Sequence, residues 1–147
     1  MSPKLFTAGM LAAAALLAGA ANAAECKLPP EAEAGRAVAE KCANCHEMKA
    51  GEKSRPVGPN IHDVFGAPAA SRRDYPKYSE GMLGASAKGV TWTEANLFEY
   101  LADPKAFIYK VNGGVVDHDM FYVVKDEQKR HDVIAWLKAV KGKPECN

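Results

Sequence analysis

Cys42-Ala43-Asn44-Cys45-His46 sets two thiols three positions apart, with an imidazole directly after the second. Thiols one helical turn apart can both reach vinyl groups on one edge of a porphyrin, and the following His can turn its ring under the iron as an axial ligand. C-x-x-C-H is the spacing of a c-type haem attachment site. Two other uses of paired cysteines fit less well. A thioredoxin-like redox pair follows a strand and has no need of a His at this place. A zinc site needs two further ligands at usable spacing, whereas Cys26 and Cys146 stand alone and His62, His118 and His131 form no second pair.

Such a site must be carried by a helix, and the flanking sequence predicts one. Pro29-Pro30 can precede a helix but cannot sit inside it. From Glu31, the residues Ala34, Val38 and Ala39 form a stripe leading into Cys42, with Glu31 and Glu33 at the positive end of the helix dipole. Residues 51–71, rich in Gly, Pro and Ser, read as loop. Thr93 can cap a second helix in which Leu97, Tyr100 and Leu101 repeat at i, i+3, i+4, bounded by Pro104. Asp126-Glu127 opens a last helix with Val133, Ile134, Trp136, Leu137 and Val140 on its apolar side, closed by Gly142 and Pro144. No alternating strand pattern of useful length occurs, so the fold class is all-α with long loops. A chain this short buries a thin core, to which the haem itself contributes.

The 147 residues are 48% hydrophobic and 25% charged, which argues against disorder. Nineteen basic and 18 acidic residues give a net charge of +1, unlike a nucleic-acid-binding domain. Length predicts one domain, and no repeat is visible. Lys4, the apolar run from Leu5 to Ala21 and Ala21-Asn22-Ala23 read as the three parts of an export signal. Residues 1–23 are therefore expected to be cleaved, leaving a domain of residues 24–147. The run is at the short limit for a membrane span. The processed chain is expected to be soluble, in the periplasm, with no stable membrane insertion.

Taken in order, CANCH, Val57-Gly58-Pro59-Asn60-Ile61-His62, Phe65-Gly66, Tyr78-Ser79, Trp92, Leu97 to Pro104, Met120 and Ile134-Ala135-Trp136-Leu137-Lys138 resemble a class I cytochrome c from about Glu31 to Lys141. The resemblance implies crossed N- and C-terminal helices around one haem c bound through Cys42 and Cys45. It implies a close approach of Gly35 to Trp136. Ala39 departs from the family, which often has an aromatic residue there. The resemblance also implies that Pro59 accepts the His46 Nδ1 proton, that Tyr100 donates to a methionine sulfur, and that Tyr78 and Trp92 hydrogen-bond a haem propionate. Lys41, Arg55, Lys105 and Lys125 fall where the family carries docking cations. Ala67 replaces the family's arginine after Phe-Gly, with Arg72 or Arg73 as substitutes. Because the crossed helices bring their outer ends together, Cys26 and Cys146 are expected to form a disulfide in an oxidising compartment.

The metal ligands implied are His46 and Met120. Met120 lies close to where the family places its ligand methionine; Met82 reads as packing, and His118 is the competitor, otherwise a surface His beside Asp117 and Asp119. Tyr109 to Asp119 is longer than the family's link and contains Asn112-Gly113-Gly114, a turn signal expected to form a hairpin-like loop over one haem edge. With both axial places filled there is no open site for substrate. The expected function is that of a monomeric one-electron carrier and not an enzyme, with no catalytic residue. Its expected partners are redox proteins: a quinol-oxidising complex or periplasmic dehydrogenase as donor, and an oxidase, reductase or photosynthetic centre as acceptor. A ligand-binding or peroxidatic haem protein, or a dedicated subunit of one dehydrogenase, are the alternatives.

Overall fold

The computed structural model describes residues 25–146, so the expected export signal and its cleavage point lie outside the described residues. The elements are α1 (Pro30–Cys42), α2 (Glu80–Ala87), α3 (Glu94–Ala102), α4 (Pro104–Asn112) and α5 (Glu127–Val140). Among the described residues the only β pairings are isolated bridges, Arg55 with Gly58 and Pro68 with Thr91. No helix among them is long and apolar enough to cross a membrane.

Local chemistry explains most boundaries. Pro30 takes the first position of α1, where the missing N–H costs nothing. Ser79, Thr93, Asp103 and Asp126 cap α2, α3, α4 and α5, each side chain accepting a backbone N–H three residues on. Asp103 is shared: it ends α3 and starts α4, and Pro104 follows as the first residue of the new helix.

The dominant packing is α1 across α5. Gly35 lies against the backbone of the partner helix: a Cβ there would overlap the Asp132 carbonyl and come within 2.9 Å of Trp136 Cβ. Ala39, Val133, Ile134, Trp136, Leu137 and Val140 are buried in or beside this seam. Cys26 and Cys146 are disulfide-bonded with Cα atoms 4.8 Å apart, closing the ends of both helices. Beneath them, His62 Nε2 lies 3.3 Å from the Lys143 carbonyl, and Asp63 Oδ1 accepts the Gly142 N–H at 3.0 Å.

Two expectations need correction. Tyr109 to Asp119, expected as a hairpin-like loop, begins instead as the last turn of a helix. Residues through Asn112 continue as α4, because Phe107 and Ile108 recur on a buried face. The turn signal acts instead as a helix stop: Gly113 has φ +75°, the left-handed cap that glycine adopts without strain, and its N–H returns to the Tyr109 carbonyl at 2.9 Å. A further helix, α2, has no counterpart in the sequence pattern. Its sequence, EGMLGASA, is small and glycine-rich, and it is set by Ser79 and by burial of Gly81, Met82 and Ala85.

Candidate haem site

The cysteines of the CANCH motif sit at the exit of α1. Cys42 is its last residue, and the chain then turns tightly: the N–H groups of Cys45 and His46 both bond to the Cys42 carbonyl, at 3.1 and 2.9 Å. With Cys26 and Cys146 bonded to each other, Cys42 and Cys45 are the free thiols. Burial pushes the Cys42 thiol up to about 11. No cluster of three or more His, Cys, Asp or Glu that could hold a metal ion occurs among the described residues.

His46 is fixed from behind. Its Nδ1 lies 2.8 Å from the Pro59 carbonyl, which can only accept, so Nδ1 carries the proton and Nε2 presents its lone pair. Gly58 makes this approach possible, since a Cβ there would stand 2.8 Å from the imidazole ring. Burial holds the ring below the ordinary imidazole range, opposed by the Pro59 bond and aided by nearby Arg55, so it stays neutral and able to ligate a metal. Arg55 bonds the Ala43 carbonyl at 2.7 Å and pairs with Glu47 at 3.4 Å. It thus binds the turn carrying the motif, in addition to lying where a docking cation was expected. Lys41, Lys105 and Lys125 are exposed.

Met120 lies on the far segment, half-buried against the core. Tyr100 donates its hydroxyl proton to the Met120 sulfur at 3.1 Å. Trp92 packs on Tyr100 with ring centres 4.8 Å apart, and Phe107 meets both. The Trp92 backbone is pinned by bonds to Ala67 and Gly66, at 2.9 and 2.8 Å. Tyr78 accepts the Arg72 N–H at 3.2 Å, leaving its own proton to donate. Arg72 is already held by Asp74 at 3.2 Å.

His118 is not the surface residue expected from its acidic neighbours. It is 7% exposed, with Nδ1 3.2 Å from Ser79 Oγ and Nε2 2.9 Å from the Tyr100 hydroxyl. Burial pulls its pKa down, as does Lys105, against the opposing pull of Asp119 and Asp117. Sequence reasoning named Ser79 and His118 but not their contact with each other or with Tyr100, and it missed Arg130 altogether. Arg130 is buried, lies over Phe98 at 4.3 Å, and donates to the Val124 and Lys125 carbonyls at 2.7 and 2.9 Å. It anchors the chain leaving Met120. An Arg at helical spacing before Val133, Ile134 and Leu137, on the apolar side of the last helix, was the available signal.

The donor set fits a haem c: two unpaired thiols at a helix exit, an imidazole with a bare Nε2, and a thioether held by one hydrogen bond.

The comparisons with known proteins agree with that chemistry. No family model matches the chain. It is 39% identical to cytochrome c2 of Rhodospirillum rubrum over 142 residues, covering 96% of this chain and 100% of that one. It is 34% identical to cytochrome c-550 of Paracoccus denitrificans over 116 residues, covering 73% of this chain and 72% of the relative. The crystal structure of cytochrome c2 from Paracoccus denitrificans superimposes with a TM-score of 0.68 at 33% identity, covering 76% of this chain and 96% of that one. Ferric cytochrome c-550 from Paracoccus versutus gives 0.67 at 30% identity, covering 75% and 97%. The chain belongs to the class I c-type cytochromes, electron carriers and not enzymes, with one haem c held covalently by two cysteines.

Proposed function

We propose that this chain is exported, loses residues 1–23, and works in the periplasm as a diffusing one-electron carrier whose iron is ligated by His46 and Met120. The observation that carries the ligand assignment is the 3.1 Å bond from the Tyr100 hydroxyl to the Met120 sulfur. A thioether sulfur is acceptor-only, so a fixed donor on one lone pair aims the other. Haem c, when bound, supplies one-electron exchange between ferric and ferrous iron. The protein's part is to hold the two ligands still. Pro59 and Gly58 hold His46, and Tyr100 holds Met120. A soft thioether favours the ferrous state relative to a second imidazole, so the carrier takes electrons from donors of lower potential and passes them to acceptors of higher potential. Tyr78 and Trp92 are proposed to steady a propionate. The donor is proposed to be a quinol-oxidising complex or periplasmic dehydrogenase, and the acceptor a terminal oxidase, reductase or photosynthetic centre.

Visible spectra of the purified holoprotein test this. The ferric form is expected to show the weak far-red sulfur-to-iron charge-transfer band, and the ferrous form to resist carbon monoxide. Met120→Ala is expected to abolish the band, lower the potential and admit carbon monoxide. His118 does not take the vacated place, because both of its ring nitrogens are engaged by Ser79 and Tyr100. A band that survives Met120→Ala but vanishes in Met82→Ala refutes the assignment.

A further inference from the structure

The geometry points to His118 as a positioning residue that, held by Ser79 with its proton on Nε2, turns the Tyr100 hydroxyl onto the Met120 sulfur. This rests on Met120 being the iron ligand. The argument is a count of protons along one buried chain of groups. Met120 sulfur has no proton to give, so the 3.1 Å contact is a hydrogen bond only if Tyr100 donates. Tyr100 has a single hydroxyl proton. With it spent on the sulfur, the contact with His118 Nε2 at 2.9 Å must run the other way, from N–H to the phenol oxygen. A neutral ring then has a bare Nδ1, and the group facing it is Ser79 Oγ at 3.2 Å, a hydroxyl that can donate. Ser79 keeps its lone pairs for the Met82 N–H at the start of α2, 3.4 Å away. Every group is satisfied, and each proton is used once. A doubly protonated ring also donates from Nε2 and leaves Tyr100 aimed the same way. Only the opposite neutral tautomer, with the proton on Nδ1, turns the Tyr100 proton toward His118 and leaves the sulfur without a donor.

The function follows from polarisation along the chain. A phenol that accepts an N–H becomes a stronger O–H donor. A stronger bond to the thioether withdraws electron density that ferric iron needs more than ferrous iron does, so His118 raises the potential through Tyr100. Neither ring nitrogen touches the sulfur in this scheme.

The tautomer can be read in the reduced holoprotein by ¹⁵N NMR with labelled histidine. A protonated Nε2 and a pyridine-type Nδ1 on His118 are expected. A ring protonated on Nδ1 alone overturns the inference, and the ferric far-red band then decides the Met120 assignment separately. Absence of the ferric far-red band overturns that assignment and the inference with it. Redox titration of His118→Phe, Tyr100→Phe and the double variant gives a second readout. Each single change is expected to lower the potential, and adding His118→Phe to Tyr100→Phe to lower it no further. An equal fall in both backgrounds means His118 does not act through Tyr100. His118→Gln, whose amide can donate to the phenol, is expected to recover part of the loss. If His118→Phe does not fold, the wild-type tautomer still decides.

Discussion

The α1–α5 seam and the Met120 segment divide the work of this molecule differently. The seam is nearly all apolar contact: Gly35 against Asp132 and Trp136, backed by Val133, Ile134 and Leu137, with a disulfide across its end. The Met120 segment places Val116, Met120 and Val124 against the core and is also held by polar bonds reaching α2, α3 and α5. Asp117 accepts from Gly81, His118 meets Ser79 and Tyr100, Val124 donates to Leu101, and Arg130 holds Val124 and Lys125. Burial sums over area and tolerates no intrusion, whereas hydrogen bonds add modest net stability but fix direction. The seam therefore sets whether the protein stands, and the segment sets the direction in which the Met120 sulfur is held.

Damage to the seam should be the most destructive. Gly35→Val is expected to lower unfolding free energy by about 3 kcal/mol, since overpacking against backbone has no soft neighbour to absorb it. Chemical denaturation measures this, and the far-red band of whatever remains folded should be unchanged. Replacing Cys26 and Cys146 together by Ala should cost ~2–4 kcal/mol by freeing the chain ends in the unfolded state. The potential should again stay put; a large shift in it would break the division of labour.

Smaller changes sharpen the contrast. Thr93→Ala removes the α3 cap and should cost about 1 kcal/mol without spectral change, which thermal melts and spectra check together. The least effect is expected from Glu47→Gln. Its carboxyl is held below the ordinary range by the Met48 and Lys49 N–H groups and by Arg55. A group depressed on folding stabilises at neutral pH, and that stabilisation is lost as pH falls through its folded value. Melting temperature followed from neutral to acid pH should decline less steeply in the variant than in the parent.

The helices that pack the core are largely legible in the chain because their signals are local and periodic. Leu97, Tyr100 and Leu101 on α3, and Val133 to Val140 on α5, repeat with the helix and are buried as that spacing requires. The Asn112-Gly113-Gly114 signal is real but ambiguous, because a left-handed glycine ends a helix, as it does here, as readily as it turns the hairpin that was expected. Helix α2 escapes sequence reasoning since its eight residues carry no amphipathic stripe and owe their shape to Ser79 and to what packs on Gly81 and Met82.

By itself the sequence marked Cys42, Cys45 and His46 as the candidate haem site, because two attaching thiols and one ligating imidazole fall within five positions. It determined the helices at either end for the same reason: spacing along the chain is spacing in a helix. The tertiary structure alone decided how the Met120 side is held. Ser79 and His118 are 39 residues apart, Tyr100 and His118 are 18 apart, and Tyr100 and Met120 are 20 apart. No period links such positions. Their meeting depends on α2, α3 and the segment after Gly113 packing on one another, and the direction of each proton depends on all the partners being in place at once.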